Sequence, residues 1–140
     1  MLPGPPSMLM TRAISEDRKR AVDSRNCFKP WAIDITIISG ARMRAGDLGI
    51  LGSRYVRMTL EGKQEQTKHI RRSNNPSWDE KFRLFAMLKR SVLCVACFDH
   101  ENMTADEPIG FFEIELSTLT PDKEYLDDFK LENGKEGSSL

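Results

Sequence analysis

From Trp31 onward the chain alternates apolar and polar positions with period two. WAIDITIIS sets Trp31, Ile33, Ile35 and Ile37 against Ala32, Asp34 and Thr36. That spacing puts the isoleucines on one face of a β-strand. YVRMTL places Val56, Met58 and Leu60 opposite Tyr55, Arg57 and Thr59. WDEKFRLF sets Trp78, Glu80, Phe82 and Leu84 against Asp79, Lys81 and Arg83. VLCVACF is apolar throughout, which fits a central strand covered on both faces. IGFFEIEL points Phe112, Ile114 and Leu116 inward and Phe111, Glu113 and Glu115 outward. KQEQTKHI reads as a polar strand at a sheet edge, where charge discourages pairing with other chains. A further strand is expected near DFKLE.

These short strands are separated by turn-forming segments. They are the Gly-rich stretch around Gly40, Gly46, Gly49 and Gly52, the pair Glu61-Gly62, SNNPS and the acidic run DHENMTADEP. Seven or eight strands without long helical periodicity predict an all-β, antiparallel Greek-key sandwich. Residues 1–30 show no strand alternation, and RAISEDRKRAVDS has helix formers without an apolar face. The expected organisation is a flexible leader over 1–30, the sandwich over 31–132 and a tail over 133–140. Ile35, Ile37, Val56, Phe82, Val95 and Ile114 are the expected core.

Length and composition narrow the function. The chain has 140 residues, enough for one domain, and a formal net charge of zero. Balanced charge argues against a general nucleic-acid binder, which would be basic overall. No apolar run reaches the roughly 18 residues needed to cross a bilayer. Three cysteines, Cys27, Cys94 and Cys97, give no disulfide framework and favour a reducing compartment. Cys94, Cys97 and His100 do not make a zinc site, because residues three apart on a strand point to opposite faces. G-x-S-x-G, a Walker lysine and H-E-x-x-H are all missing, so the chain is not expected to be an enzyme.

Several pieces, all in register, resemble a C2 domain over Ile33 to Leu131. They are ISGARMRAGD, GSRYVRMTL, TKHIRRSNNPSWDEKFRLF, VACFDHE and DEPIGFFEIEL, with NPSWDEKF the most specific. The resemblance implies a membrane-docking module whose loops gather at one end of the sandwich. Here those loops are 40–53, 73–77 and 99–108. In many members the loops hold calcium among five aspartates. Matched position by position, the set here is Asp47, Ser53, Asp99, Glu101 and Glu107. Asp47 stands eight residues before Tyr55, and Glu107 eight after Asp99. One carboxylate has become Ser53, and Arg54 places a competing cation beside it. The resemblance therefore implies weak calcium binding, against a solvated acidic loop that no longer takes metal.

Leu48, Ile50 and Leu51 form an apolar loop tip that either enters lipid or folds back over the sandwich. Arg57, Lys68, Arg71 and Arg72, with His69, form the clear basic cluster within the domain. It reads as a contact for anionic headgroups or as an edge-strand guard. The expected partner is an anionic phospholipid membrane, reached from the cytoplasm, with calcium weak or dispensable. The alternative is calcium-independent binding of another protein, as part of a larger signalling or ubiquitin-ligase protein. One C2 topology ends on an extra strand; with no strand expected before Trp31, that closing strand is absent here, which suggests a fragment.

Overall fold

The computed structural model describes residues 4–17, 30–43, 52–101 and 105–132. Among the described residues there are nine strands: β1 (Ser7–Glu16), β2 (Trp31–Ala41), β3 (Ser53–Leu60), β4 (Lys63–Gln66), β5 (Ile70–Arg71), β6 (Ser77–Ala86), β7 (Val92–His100), β8 (Glu107–Glu115) and β9 (Tyr125–Lys130). One sheet runs β6-β2-β1-β9. The other runs β4-β3-β7-β8, with β5 also paired to β3. Every pairing is antiparallel. The predicted all-β sandwich is the observed fold.

The alternation explains the core. Ile33, Ile35 and Ile37 of β2 face Val56, Met58 and Leu60 of β3 and Val95 of β7 across the space between sheets, and all are buried. Ile114 joins them, while Phe82 is only partly buried and packs against the cluster. From Leu93 to Phe98, β7 is covered on both faces as expected, while Val92 is exposed. Cys97 lies in the inter-sheet core, and Cys94 packs on the outer face. Burial pushes the Cys97 thiol up to about 12, so it is inert near neutrality. On the outer face, Tyr55, Ala96, Phe98 and Phe111 form a second, smaller buried cluster. Phe111 is outward as the pattern predicts, yet only 6% exposed. The chain after β9 crosses over it, and Phe111 and Glu132 exchange two backbone hydrogen bonds of 3.1 and 2.9 Å. That crossing requires Gly110, where a Cβ would come within 2.8 Å of the Glu132 carbonyl oxygen.

The largest departure from expectation is at the N-terminus. Residues 7–16, assigned to a flexible leader, form β1, which lies between β2 and β9. Met8, Met10 and Ile14 are fully buried. The position of the closing strand thought missing is accounted for by this one. The signal was obscured because the inward row of β1 includes Arg12, which interrupts the apolar alternation. Its guanidinium stacks over the Tyr125 and Phe129 rings at 5.1 and 4.8 Å and pairs with Asp127 at 2.9 Å. An arginine held between two rings behaves as a packed side chain with a charged tip.

Because β1 is internal to its sheet, a chain beginning at Trp31 should fail to unfold cooperatively, as read by thermal melting. In the full chain, Ile14→Ala should cost about 2–5 kcal/mol in denaturant titrations. A truncated chain with native stability would show that β1 is dispensable.

Candidate functional site at the loop end

At one end of the sandwich the described parts of the β2–β3 and β5–β6 connections meet the end of β7. The Gly40 amide donates to the Pro76 carbonyl at 2.8 Å, the Met43 amide to the Asn74 carbonyl at 2.7 Å, and the Arg72 amide to the Gly52 carbonyl at 2.9 Å. These bonds tie the β2–β3 and β5–β6 connections together. Asp47, Leu48, Ile50 and Leu51 lie outside the described residues.

The centre of this end is Arg54. It sits on the inward side of β3, one position after Ser53, and its side chain is completely buried. Its Nε donates to the Met43 carbonyl at 3.0 Å, Nη1 to Asp99 Oδ1 at 2.8 Å, and Nη2 to Asn74 Oδ1 at 3.1 Å. The three acceptors come from three different segments of the chain. Its own carbonyl accepts a 3.2 Å bond from the Trp78 indole, which locks β3 to β6. Gly52 lets the preceding chain lie against the Asp99 carboxylate, where a Cβ would collide with Oδ1.

Asp99 is nearly buried, at 6% exposure. Burial pushes its pKa above the ordinary value. Arg54 pulls it down, and Glu107, Glu101 and Asp106 push it up again, leaving a net rise. Of the five positions matched to calcium ligands, Ser53 and Asp99 are opposed to neighbours on the same ladders. Ser53 pairs with His100 and Arg71, and Asp99 with Arg54 and Glu107. Glu101 is half-buried and Glu107 exposed. Among the described residues, no group of three or more His, Cys, Asp or Glu side chains converges as a metal site.

Sequence reading missed a second cluster on the outer side of the same sheet. The Tyr55 ring stacks between His69 at 4.5 Å and Phe98 at 5.4 Å. Its hydroxyl donates to Asp106. His100 meets His69 edge-on at 4.9 Å and shares a 2.7 Å hydrogen bond with Asp106 through Nδ1. Arg57 lies over Phe98 at 4.6 Å and is half-buried. The available signal was the outward row Ser53, Tyr55, Arg57 of β3 facing His100 and Phe98 of β7. His100 is thus a built-in partner of Asp106.

Lys68, Arg71 and Arg72 are exposed at the β4–β5 edge of this sheet. Arg12, Arg54 and Arg83 each pair with an aspartate. Lys68, Arg71 and Arg72 have no ion pair among the described residues. Arg57 therefore packs over the outer rings, while the other three project as available charge.

Burial, followed by the hydrogen bond to Asp106, raises the Tyr55 phenol to about 12. Tyr125 is lowered, chiefly because its hydroxyl is hydrogen-bonded with Thr120. A raised folded pKa means that the Tyr55 contribution to stability is fully present below pH 10 and is lost as pH rises through about 12. Absorbance titration should show the two phenols ionising in separate steps, with the later one absent in Tyr55→Phe. That variant should lose about 1.5 kcal/mol, the weak end for a hydrogen bond to a charged acceptor. A single step near pH 10 would contradict the buried hydrogen bond.

A family model, "C2 domain", matches residues 31–131. Among curated relatives, the chain is 27% identical over 103 residues to multiple C2 and transmembrane domain-containing protein 1 of Rattus norvegicus, covering 73% of this chain and 11% of the relative. It is 27% identical over 93 residues to the E3 ubiquitin-protein ligase NEDD4 of Mus musculus, covering 62% of this chain and 10% of that protein. The chain thus spans about a tenth of the length of these relatives. Among solved structures, a C2 domain of RIM from Drosophila superposes with a TM-score of 0.70 at 15% identity, covering 93% of this chain and all of that one. Fold and family match agree: this chain belongs to the C2 domain family.

Proposed function

We propose that this domain targets its protein to anionic phospholipid membranes from the cytoplasmic side, peripherally and without needing calcium. The observation that carries the reading is the set of exposed cations Lys68, Arg71 and Arg72, which no described carboxylate pairs. Each basic residue near an anionic surface contributes about 1 kcal/mol, so three supply about 3 kcal/mol, roughly two decades in partitioning. Arg57 adds charge on the same outward side of the sheet.

The loop end carries acid, which an anionic surface repels. Arg54 neutralises Asp99, and His100 engages Asp106, but Glu101 and Glu107 remain. The domain therefore approaches with its β4–β5 edge toward the headgroups. In this reading Leu48, Ile50 and Leu51 add an apolar contribution from the loop tip. Among the described residues no helix is long and apolar enough to cross a bilayer.

A second reading, docking of another protein, draws on Met87, Leu88 and Val92. These are 56%, 46% and 42% exposed and lie around the β6–β7 connection, away from the loop end.

Binding to phosphatidylserine vesicles should weaken steeply with salt, as the Debye length shrinks from about 10 Å at 0.1 M to about 3 Å at 1 M. Lys68→Glu with Arg71→Glu should abolish low-salt binding, and Leu51→Ser should lower binding at every salt. Unchanged vesicle binding by the charge-reversed protein would show that the basic edge is only a strand guard and not the contact for headgroups, and would bring the protein partner forward.

A further inference from the structure

The Arg54 guanidinium stands where three hard oxygens converge. They are a carboxylate oxygen of Asp99, an amide oxygen of Asn74 and the backbone carbonyl of Met43, at 2.8, 3.1 and 3.0 Å from its nitrogens. Carboxylate, side-chain amide and backbone carbonyl are the three protein oxygen types that calcium collects. Two further carboxylates, Glu101 and Glu107, act electrostatically on Asp99. The donor set would suit a divalent cation, but a guanidinium already fills its centre and satisfies it. A buried arginine with no exposed surface cannot swing into solvent to make room without leaving β3 and its neighbours unpacked. The residues as arranged therefore do not fit calcium.

We propose that Arg54 is the resident cation of this site, a covalently tethered substitute for a metal ion that holds the β2–β3 and β5–β6 connections and the end of β7 in one metal-free arrangement. Two consequences follow from charge and volume. The native protein gains nothing from calcium at this end. Removing the guanidinium leaves Asp99, Asn74 and Met43 oxygens facing an emptied space beside Glu101 and Glu107, so a latent divalent-cation site is unmasked. A planar five-donor fork serves several acceptors at once, whereas an ammonium presents a compact charge. Lysine would therefore keep the charge and lose part of the bracing.

This deepens the metal-independence of the reading above, and it stands apart from lipid binding because its test contains no vesicles. Thermal melting and calorimetry are run on the full chain in chelator and in millimolar calcium or magnesium. The native protein should melt at the same temperature in all three, with no calorimetric calcium binding. Arg54→Gln should melt lower in chelator and recover with calcium more than with magnesium, since a bound ion stabilises the folded state by mass action. Its calcium uptake should be abolished by adding Asp99→Asn. Arg54→Lys should fold and remain unresponsive to calcium. If Arg54→Gln does not fold in chelator, recovery of the folded far-ultraviolet spectrum on adding calcium reads the same point. Calcium binding by the native protein that Asp99→Asn abolishes would overturn the proposal, because metal and guanidinium would then share the site. An Arg54→Gln protein that calcium neither binds nor stabilises would overturn it as well.

Discussion

The buried pair between Arg54 and Asp99 is the constraint on which the loop end depends. Neither charge can be left alone there: removing one partner of a buried pair strands the other, at about 3–5 kcal/mol. Yet burying such a pair carries a desolvation cost that can offset its attraction. The raised pKa of Asp99 means that burial and neighbouring acids outweigh the attraction of Arg54. Its role is positional. One guanidinium fork brings Met43, Asn74 and Asp99 to a common point, and the Trp78 indole fixes the backbone beneath it. Two connections and the end of β7, distant in sequence, are thereby set in one geometry.

That arrangement changes how charge is distributed over the molecule. The net charge is zero, but individual cations differ in what they do. Arg12 and Arg54 are committed to packing and pairing within the sandwich, and Arg57 leans on the rings of the outer face. Lys68, Arg71 and Arg72 project from the β4–β5 edge. In the proposed reading, attraction to an anionic surface is concentrated at the β4–β5 edge, where Arg71 and Arg72 border the acidic loop end. In this account electrostatics orient the domain with no bridging ion.

Where side chains alternate cleanly, sequence was sufficient. Ile33, Ile35 and Ile37, or Val56, Met58 and Leu60, can face only one way once strands are assumed, and all six are buried. β1 escaped because Arg12 occupies an inward position, and a charged residue there is explicable only once Tyr125 and Phe129, more than a hundred residues away, are known to flank it. Arg54 was visible as a cation beside the acidic positions, but burial and three bonds cannot be read from adjacency. The Tyr55, His69, His100 and Asp106 cluster joins two strands and two connections, so no local motif announces it. Asp47 and the apolar tip at Leu48, Ile50 and Leu51 were legible as candidates, and they fall outside the described residues.

The central claim is that the loop end is organised by its own arginine and that docking proceeds without a metal bridge. Cosedimentation of the native protein with phosphatidylserine vesicles, in parallel in chelator and in millimolar calcium at one ionic strength, tests it most directly. The account predicts the same bound fraction in both. Binding that appears only in calcium would contradict it.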